Sequence, residues 1–159
     1  MRPALTLALI LILAGPTGAA AADGDAILGL WATEPGGRGG QAHVEITRDG
    51  AGYSGRIVWL EEPNYPADDP SGLGGQPKTD LENPDPDLQD RPIIGLTIVE
   101  GFQAAGPAKW VDGTIYDPEN GKTYSCKAKL KGDVLRVRGY IGVSLLGRTT
   151  EWTRVEAGR

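Results

Sequence analysis

The chain has a single cysteine and a single histidine among its 159 residues. A lone Cys126 excludes an intramolecular disulfide framework, and a lone His43 leaves a zinc site short of the three or four ligands it normally takes. No apolar run reaches the ~20 residues that span a bilayer as a helix. The longest, residues 4–14, ends at a Gly-Pro break. No stretch repeats apolar residues at helical spacing, and no internal repeat is present, so neither a helical bundle nor a solenoid is expected. Positive charge is also scarce: 16 Lys and Arg stand against 21 Asp and Glu, a net charge of −5.

Residues 1–22 combine one basic residue, Arg2, the short apolar run and the small residues Ala20 and Ala22 at a small-x-small boundary. This is the pattern of a cleaved signal peptide, with the mature chain beginning at Asp23. No cysteine lies near that boundary to carry a lipid, so no stable membrane anchor is expected after cleavage. Loss of Arg2 leaves 15 basic residues and takes the net charge to −6. That charge makes nucleic acid and anionic membrane surfaces poor partners. About 137 residues remain, enough for one domain (23–159) with one core.

Apolar residues alternate with polar ones along most of this domain. From Lys122 to Lys131, Tyr124, Cys126, Ala128 and Leu130 fall on one side and Thr123, Ser125, Lys127, Lys129 and Lys131 on the other. That period of two predicts a half-buried strand. Leu135, Val137, Gly139 and Ile141 alternate in the next segment, after a Gly132-Asp133 turn, and Ala42, Val44 and Ile46 do so opposite His43, Glu45 and Thr47. Further strands are predicted over 27–33, 53–60, 93–102, 110–116 and 148–154. Residues 57–60 form an unbroken apolar run, which predicts cover on both faces of that strand. Between them, residues 61–92 hold seven of the twelve prolines and many acidic residues without any period. A loop of that length in a small domain is either functional or disordered.

Eight antiparallel strands in up-and-down order resolve their edges by closing into a barrel, with a two-sheet sandwich as the alternative. Gly29-Leu30-Trp31 in the first strand favours the barrel. It resembles the lipocalin and wider calycin signature, which implies a tryptophan closing one end with a basic residue over its indole, here Arg154 or, second, Arg148. Several other stretches follow one family pattern in order. They include Asn83-Pro84-Asp85, Arg91-Pro92, Gly95-Leu96, Gly101-Phe102 and Trp110. Tyr116-Asp117-Pro118-Glu119-Asn120-Gly121-Lys122-Thr123-Tyr124 follows, then Arg138-Gly139-Tyr140-Ile141-Gly142, Gly147-Arg148-Thr149 and Trp152-Thr153-Arg154. Together they resemble the bacterial family termed domain of unknown function 2147. The resemblance implies an exported, periplasmic or secreted, lipocalin-like barrel, and it supplies neither an activity nor catalytic residues.

Cys126 as a nucleophile would need a nearby base to hold it as thiolate, but His43 alternates outward while Cys126 alternates inward. Asp80, Glu82, Asn83, Asp85, Asp87 and Asp90 are oxygen ligands of the kind calcium takes, yet their spacing departs from the EF-hand loop, and a solvated or docked loop is the simpler reading. Asp112, Asp117 and Glu151 offer carboxylates for a hydrolase, although Asp117 reads more simply as the first residue of a turn. Val143-Ser144-Leu145-Leu146 is expected to plug one barrel end or, failing that, to offer an apolar rim. Trp59, Tyr124, Cys126, Gly139, Leu145 and Leu146 are the candidate ligand contacts, with Gly29, Trp31 and Arg154 as the structural signature. No metal or cofactor is expected. The reading that leads is a non-enzymatic barrel binding a small, largely apolar molecule. The alternatives are an envelope protein-interaction module using loop 61–92, and an enzyme using Cys126 or the carboxylates.

Overall fold

A computed structural model describes residues 24–156, and the signal peptide assigned to residues 1–22 lies outside the described residues. The strands are β1 (Gly29–Ala32), β2 (Ala42–Asp49), β3 (Gly52–Leu60), β4 (Thr97–Ala104), β5 (Lys109–Asp117), β6 (Lys122–Lys131), β7 (Val134–Tyr140) and β8 (Gly147–Arg154). Each pairs antiparallel with the next, and β8 pairs with β1, so the sheet closes into an eight-stranded barrel rather than a sandwich. The closing seam is short: only Trp31 with Arg154 and Ala32 with Thr153 are in register, and beyond them the Glu151 N–H donates to the Glu34 carboxylate at 3.0 Å.

The barrel has a closed end and an open end. Short turns after β2, β4 and β6 gather at the closed end, where a 3-10 turn (Asp25–Ile27) crosses beneath the core. This turn shortens β1 relative to the predicted 27–33, because Gly29, at φ 118°, redirects the chain into the barrel. Trp31 Nε1 donates to the Ile27 carbonyl at 2.8 Å, and Trp110 Nε1 donates to the Gly24 carbonyl at 3.1 Å. Trp31 and Arg154 are directly paired across β1 and β8, and the Arg154 guanidinium lies 4.2 Å from the centroid of the indole. The same guanidinium donates to the carbonyls of Leu28 and Ala26 at 3.0 and 2.7 Å. Arg154 therefore ties the last strand to the 3-10 turn and covers Trp31. A cation so placed contributes ~0.5–2 kcal/mol.

Phe102, Trp110, Val44, Val99, Cys126 and Leu135 fill the space above this floor, all fully buried. Packing there is tight enough to need glycine. A Cβ on Gly113 would collide with the Phe102 ring and come within 3.1 Å of Cys126 Sγ.

A bulge in β3 accounts for the apolar run at 57–60. His43 pairs with Trp59 whereas Val44 pairs with Ile57, so Val58 is an extra residue on β3. An extra residue reverses the side-chain parity beyond it. Ile57 and Leu60 both face inward, and Trp59 turns outward against His43, ring centroids 4.4 Å apart. β4 starts at Thr97, four residues later than predicted. Ile93 and Leu96 are still buried, but they belong to the end of the preceding loop.

Candidate functional site: a cavity at the open end

Four connections surround the open end: β1–β2 (33–41), β3–β4 (61–96), β5–β6 (118–121) and β7–β8 (141–146). They enclose, with the upper half of the barrel, a cavity of about 1360 Å³. Its walls are mainly aliphatic and aromatic: Ile57, Leu60, Ile98, Ile115, Val137 and Trp152. Its mouth is polar, with Arg38, Lys78, Tyr116, Asn120 and Arg148. The cavity exists because large inward residues crowd the closed end, while Ala42 and Gly139 narrow the walls above it.

The long β3–β4 loop is ordered, and one buried carboxylate accounts for much of that order. Asp80 is completely buried. Its Oδ1 accepts from the Tyr116 hydroxyl at 2.7 Å, and its Oδ2 accepts from Asn83 Nδ2 at 2.8 Å and from Arg91 Nε at 2.9 Å. Arg91 Nη2 adds a second contact to the same Oδ2 at 2.8 Å, so two guanidinium nitrogens converge on one carboxylate oxygen. Tyr116 belongs to β5, so the network joins the loop to the barrel wall. Burial, followed by the bond to Asp80, pushes the Tyr116 hydroxyl above its ordinary pKa of 10.0. Gly121, at φ 68°, fits closely beneath the loop, since any Cβ there would strike the Glu82 carbonyl oxygen. A second latch reaches across the mouth. Lys78 Nζ, almost fully buried, donates to the Arg38 carbonyl and lies 3.5 Å from Glu62. Arg38 in turn meets Glu82 at 3.1 Å, and its backbone N–H donates to Glu119 at 2.7 Å.

The acidic residues weighed as calcium ligands are thus distributed among other tasks. Asp80 serves Arg91 and Tyr116, Glu82 serves Arg38, and Asp85 accepts from the Asp87 N–H to cap the 3-10 turn Pro86–Leu88. No group of three or more possible metal ligands occurs among the described residues. The hydrolase carboxylates are likewise separated. Asp117 accepts from Glu119 and Asn120 within its own turn, and Glu151 pairs with Arg136 at 3.1 Å on the outer face.

Of the six candidate contacts, Tyr124, Gly139, Leu145 and Leu146 line the cavity. Trp59 does not, and its inward placement is corrected: the bulge at Val58 turns it to the outside, where it is 42% exposed. Cys126 is also outside the cavity, being packed in mid-barrel beside Phe102 and Gly113 and opposite Gly139. Burial pushes its thiol up to about 12. His43 is on the outer face against Trp59, so the barrel wall separates it from Cys126. The expected plug is corrected too. The β7–β8 loop folds back over the outer face, where Arg138 donates to the carbonyls of Ser144 at 2.7 Å and Leu145 at 3.1 Å, and Lys127 donates to the Ser144 hydroxyl at 2.6 Å. Its leucines form a rim. Ile141, counted inward from the alternation, is exposed at the same rim because β7 ends at Tyr140.

Sequence reasoning missed Ile98, Ile115 and Trp152 as wall residues and Asp80, Arg91 and Tyr116 as one network. Alternation in β5 and β8 carried the signal for Ile115 and Trp152. Nothing in the spacing of Asp80, Arg91 and Tyr116 announces that they meet.

Comparison with known proteins agrees with this architecture. Among solved structures, the fold is similar to that of protein HP1028 from Helicobacter pylori, described as belonging to the lipocalin family. The TM-score is 0.69 at 19% identity, over 82% of this chain and 84% of the other. No curated protein matches. The model of a bacterial family described as "Uncharacterized protein conserved in bacteria (DUF2147)" matches residues 29–154, from the glycine that opens β1 to the arginine that covers Trp31, and the chain belongs to that family.

Proposed function

We propose that this protein is an exported, non-catalytic carrier or receptor that holds a small, largely apolar molecule in the open half of its barrel. The observation that carries this reading is the cavity itself: about 1360 Å³, walled by aliphatic and aromatic side chains and ringed by polar groups. Ligand sites for small molecules are typically concave, apolar and fitted with a few polar groups that fix orientation. Here the charged groups stand at the mouth, and the wall hydroxyl of Thr150, opposite Val137, accepts from Trp152 Nε1, so a bound molecule would place its apolar body inside and its polar end near Arg148 or Lys78. The lipocalin-like architecture is consistent with this use of the interior.

Native mass spectrometry of the protein exported by its own host, followed by extraction and identification of the adduct, tests the proposal without a guessed ligand. Gly139→Leu supplies the control. A Cβ on Gly139 would rest 3.5 Å from Ile115 and 3.7 Å from Tyr124, an ordinary contact distance, and the rest of the leucine would project into the cavity. The variant should fold normally and lose the adduct. Parent protein that carries no adduct and binds no alkyl probe would refute the proposal.

A further inference from the structure

We infer that the β7–β8 loop and the outer face of β6 and β7 form a docking surface for an anionic lipid bilayer, which brings the cavity mouth to the membrane. The inference rests on how charge is segregated and on an apolar tip, and it holds whatever the cavity carries. The chain as a whole is acidic, but residues 121–150 contain seven basic residues and one acidic residue, Asp133. Asymmetry of this kind marks a surface for an anionic partner even where net charge argues against one. Four of them, Lys127, Lys129, Arg136 and Arg138, stand together on the outer face of β6 and β7. Lys127 is directly opposite Arg138, Lys129 opposite Arg136, and Lys109 of β5 opposite Lys129. Like charges directly opposite on one face of a sheet are destabilising. Only Arg136 has a carboxylate partner, Glu151; Lys109, Lys127, Lys129 and Arg138 pair with none among the described residues. An external anionic surface would relieve this repulsion.

Next to this face is the loop tip. Ile141 is 67% exposed, Val143 61%, Leu145 89% and Leu146 76%. These side chains are held outward by a satisfied backbone: Leu146 N donates to the Val143 carbonyl at 3.1 Å, and Arg138 takes up the carbonyls of Ser144 and Leu145. A fixed apolar tip beside a basic apron is the combination that seats peripheral proteins in the headgroup region. An acidic protein partner would satisfy the charges, yet it would have to bury four aliphatic side chains on a narrow projection, whereas a bilayer accepts them by insertion. Leu145 and Leu146 also border the cavity, so insertion places its opening beside the acyl chains.

The test is co-sedimentation of the full chain with vesicles of phosphatidylglycerol and phosphatidylcholine in equal parts, against vesicles of phosphatidylcholine alone. Binding should favour the anionic vesicles and weaken as salt is raised. Leu145→Ser/Leu146→Ser, at positions already in water and therefore harmless to folding, should reduce binding at least about tenfold by removing the inserted area. Lys129→Gln, which leaves the Lys127–Ser144 contact that holds the loop in place, should reduce it roughly fivefold, the effect of one charge near such a surface. Because the parent and variants share their N-terminal residues, any binding by that segment cancels. An environment-sensitive fluorophore on Leu145→Cys, where the buried Cys126 does not compete, should shift toward an apolar signal with anionic vesicles. Equal binding by parent and leucine variant, equal binding to neutral and anionic vesicles, or an unshifted fluorophore would each overturn the inference. Failure of the parent to bind either vesicle would do the same and would leave the protein partner as the occupant.

Discussion

Replacing Asp80 with alanine should release the long loop without unfolding the barrel. The substitution removes a completely buried carboxylate that accepts from Tyr116, Asn83 and Arg91. Breaking a buried ion pair by deleting one partner costs ~3–5 kcal/mol, because the other charge is left behind. Arg91 is about a third exposed and re-solvates in part, which discounts that figure. Asn83 Nδ2 still donates to the Tyr116 hydroxyl at 3.1 Å, so the donor left without a partner is the tyrosine O–H, at ~1–3 kcal/mol. A total near ~3 kcal/mol follows, equivalent to about two decades in an opening equilibrium. These side chains tie the loop to β5, beside the Lys78 and Arg38 latch and the buried Ile93 and Leu96, whereas β5 and β6 keep their ladder, so the loss should be local. Hydrogen exchange should therefore accelerate about a hundredfold at amides such as Asp80, Asn83 and Ile93, with β6 and β7 unchanged. Tyr116 provides a second readout. With the carboxylate gone, its ionisation should move down toward 10.0, retaining only the part of the shift due to burial. Unchanged exchange in the loop, or exchange that rises equally in β6, would refute the assignment of Asp80 as the latch.

Trp31→Ala should destabilise the barrel by ~3–5 kcal/mol in denaturant unfolding, the cost of truncating a fully buried aromatic; near-parent stability would remove Trp31 from the core. Cys126 should react slowly with a thiol reagent in the native protein and rapidly once denatured, since it is fully buried, and Cys126→Ser should leave ligand binding intact at some cost in stability from the buried hydroxyl. The same thiol sets a pH dependence: its proton is held more tightly in the folded state, so stability is full below pH 9.0 and falls by up to ~1.4 kcal/mol per pH unit from there toward about 12. Cys126→Ala should lack that component, and identical alkaline unfolding profiles would contradict it. In a homologous series of alkyl probes, affinity should rise about fourfold per methylene, at ~0.8 kcal/mol each, until the cavity is filled; affinity independent of length would place the binding site elsewhere.

Local pattern made the barrel legible wherever one residue in two faces water. β6 spans Lys122–Lys131 as its alternation indicates, and β7 follows with Leu135 and Val137 buried. Legibility failed at Val58, because a bulge depends on pairing between strands and leaves no mark in the local order of Ile57, Val58, Trp59 and Leu60. The parity error at Trp59 came from that one residue. The rim loop was misjudged for a different reason. Val143, Leu145 and Leu146 are apolar, which argues for burial, but two cations fix the loop on the outside, Arg138 through the carbonyls of Ser144 and Leu145 and Lys127 through the Ser144 hydroxyl. As for the cavity, small inward residues are equally compatible with open space and with large neighbours opposite. Gly113 lies against Phe102, whereas Gly139 faces open volume, and only the relative placement of strands distinguishes the two.

The stretches that carry the family resemblance also explain why it implies a fold and no activity. Asn83, Arg91 and Tyr116 meet at Asp80, and Gly121 closes beneath Glu82 and Pro84, so much of the pattern is devoted to seating the β3–β4 loop. Ordering a residue of backbone costs ~1–2 kcal/mol, so a loop of this length needs either a core of its own or a disordered state with little freedom to lose. Seven prolines between residues 61 and 92 restrict that disordered state. The composition that resembles a disordered segment is thus also that of a loop made inexpensive to order, and a few polar anchors then suffice to hold it. Those anchors lie at the mouth, one layer away from Ile57, Ile98, Val137 and Trp152. Wall residues can change in size and shape without disturbing the latch, and the latch can persist over cavities of different shape. The resemblance therefore reports how the open end is built, while of the wall side chains Ile57, Leu60, Ile98, Ile115, Val137 and Trp152 the pattern includes only Trp152.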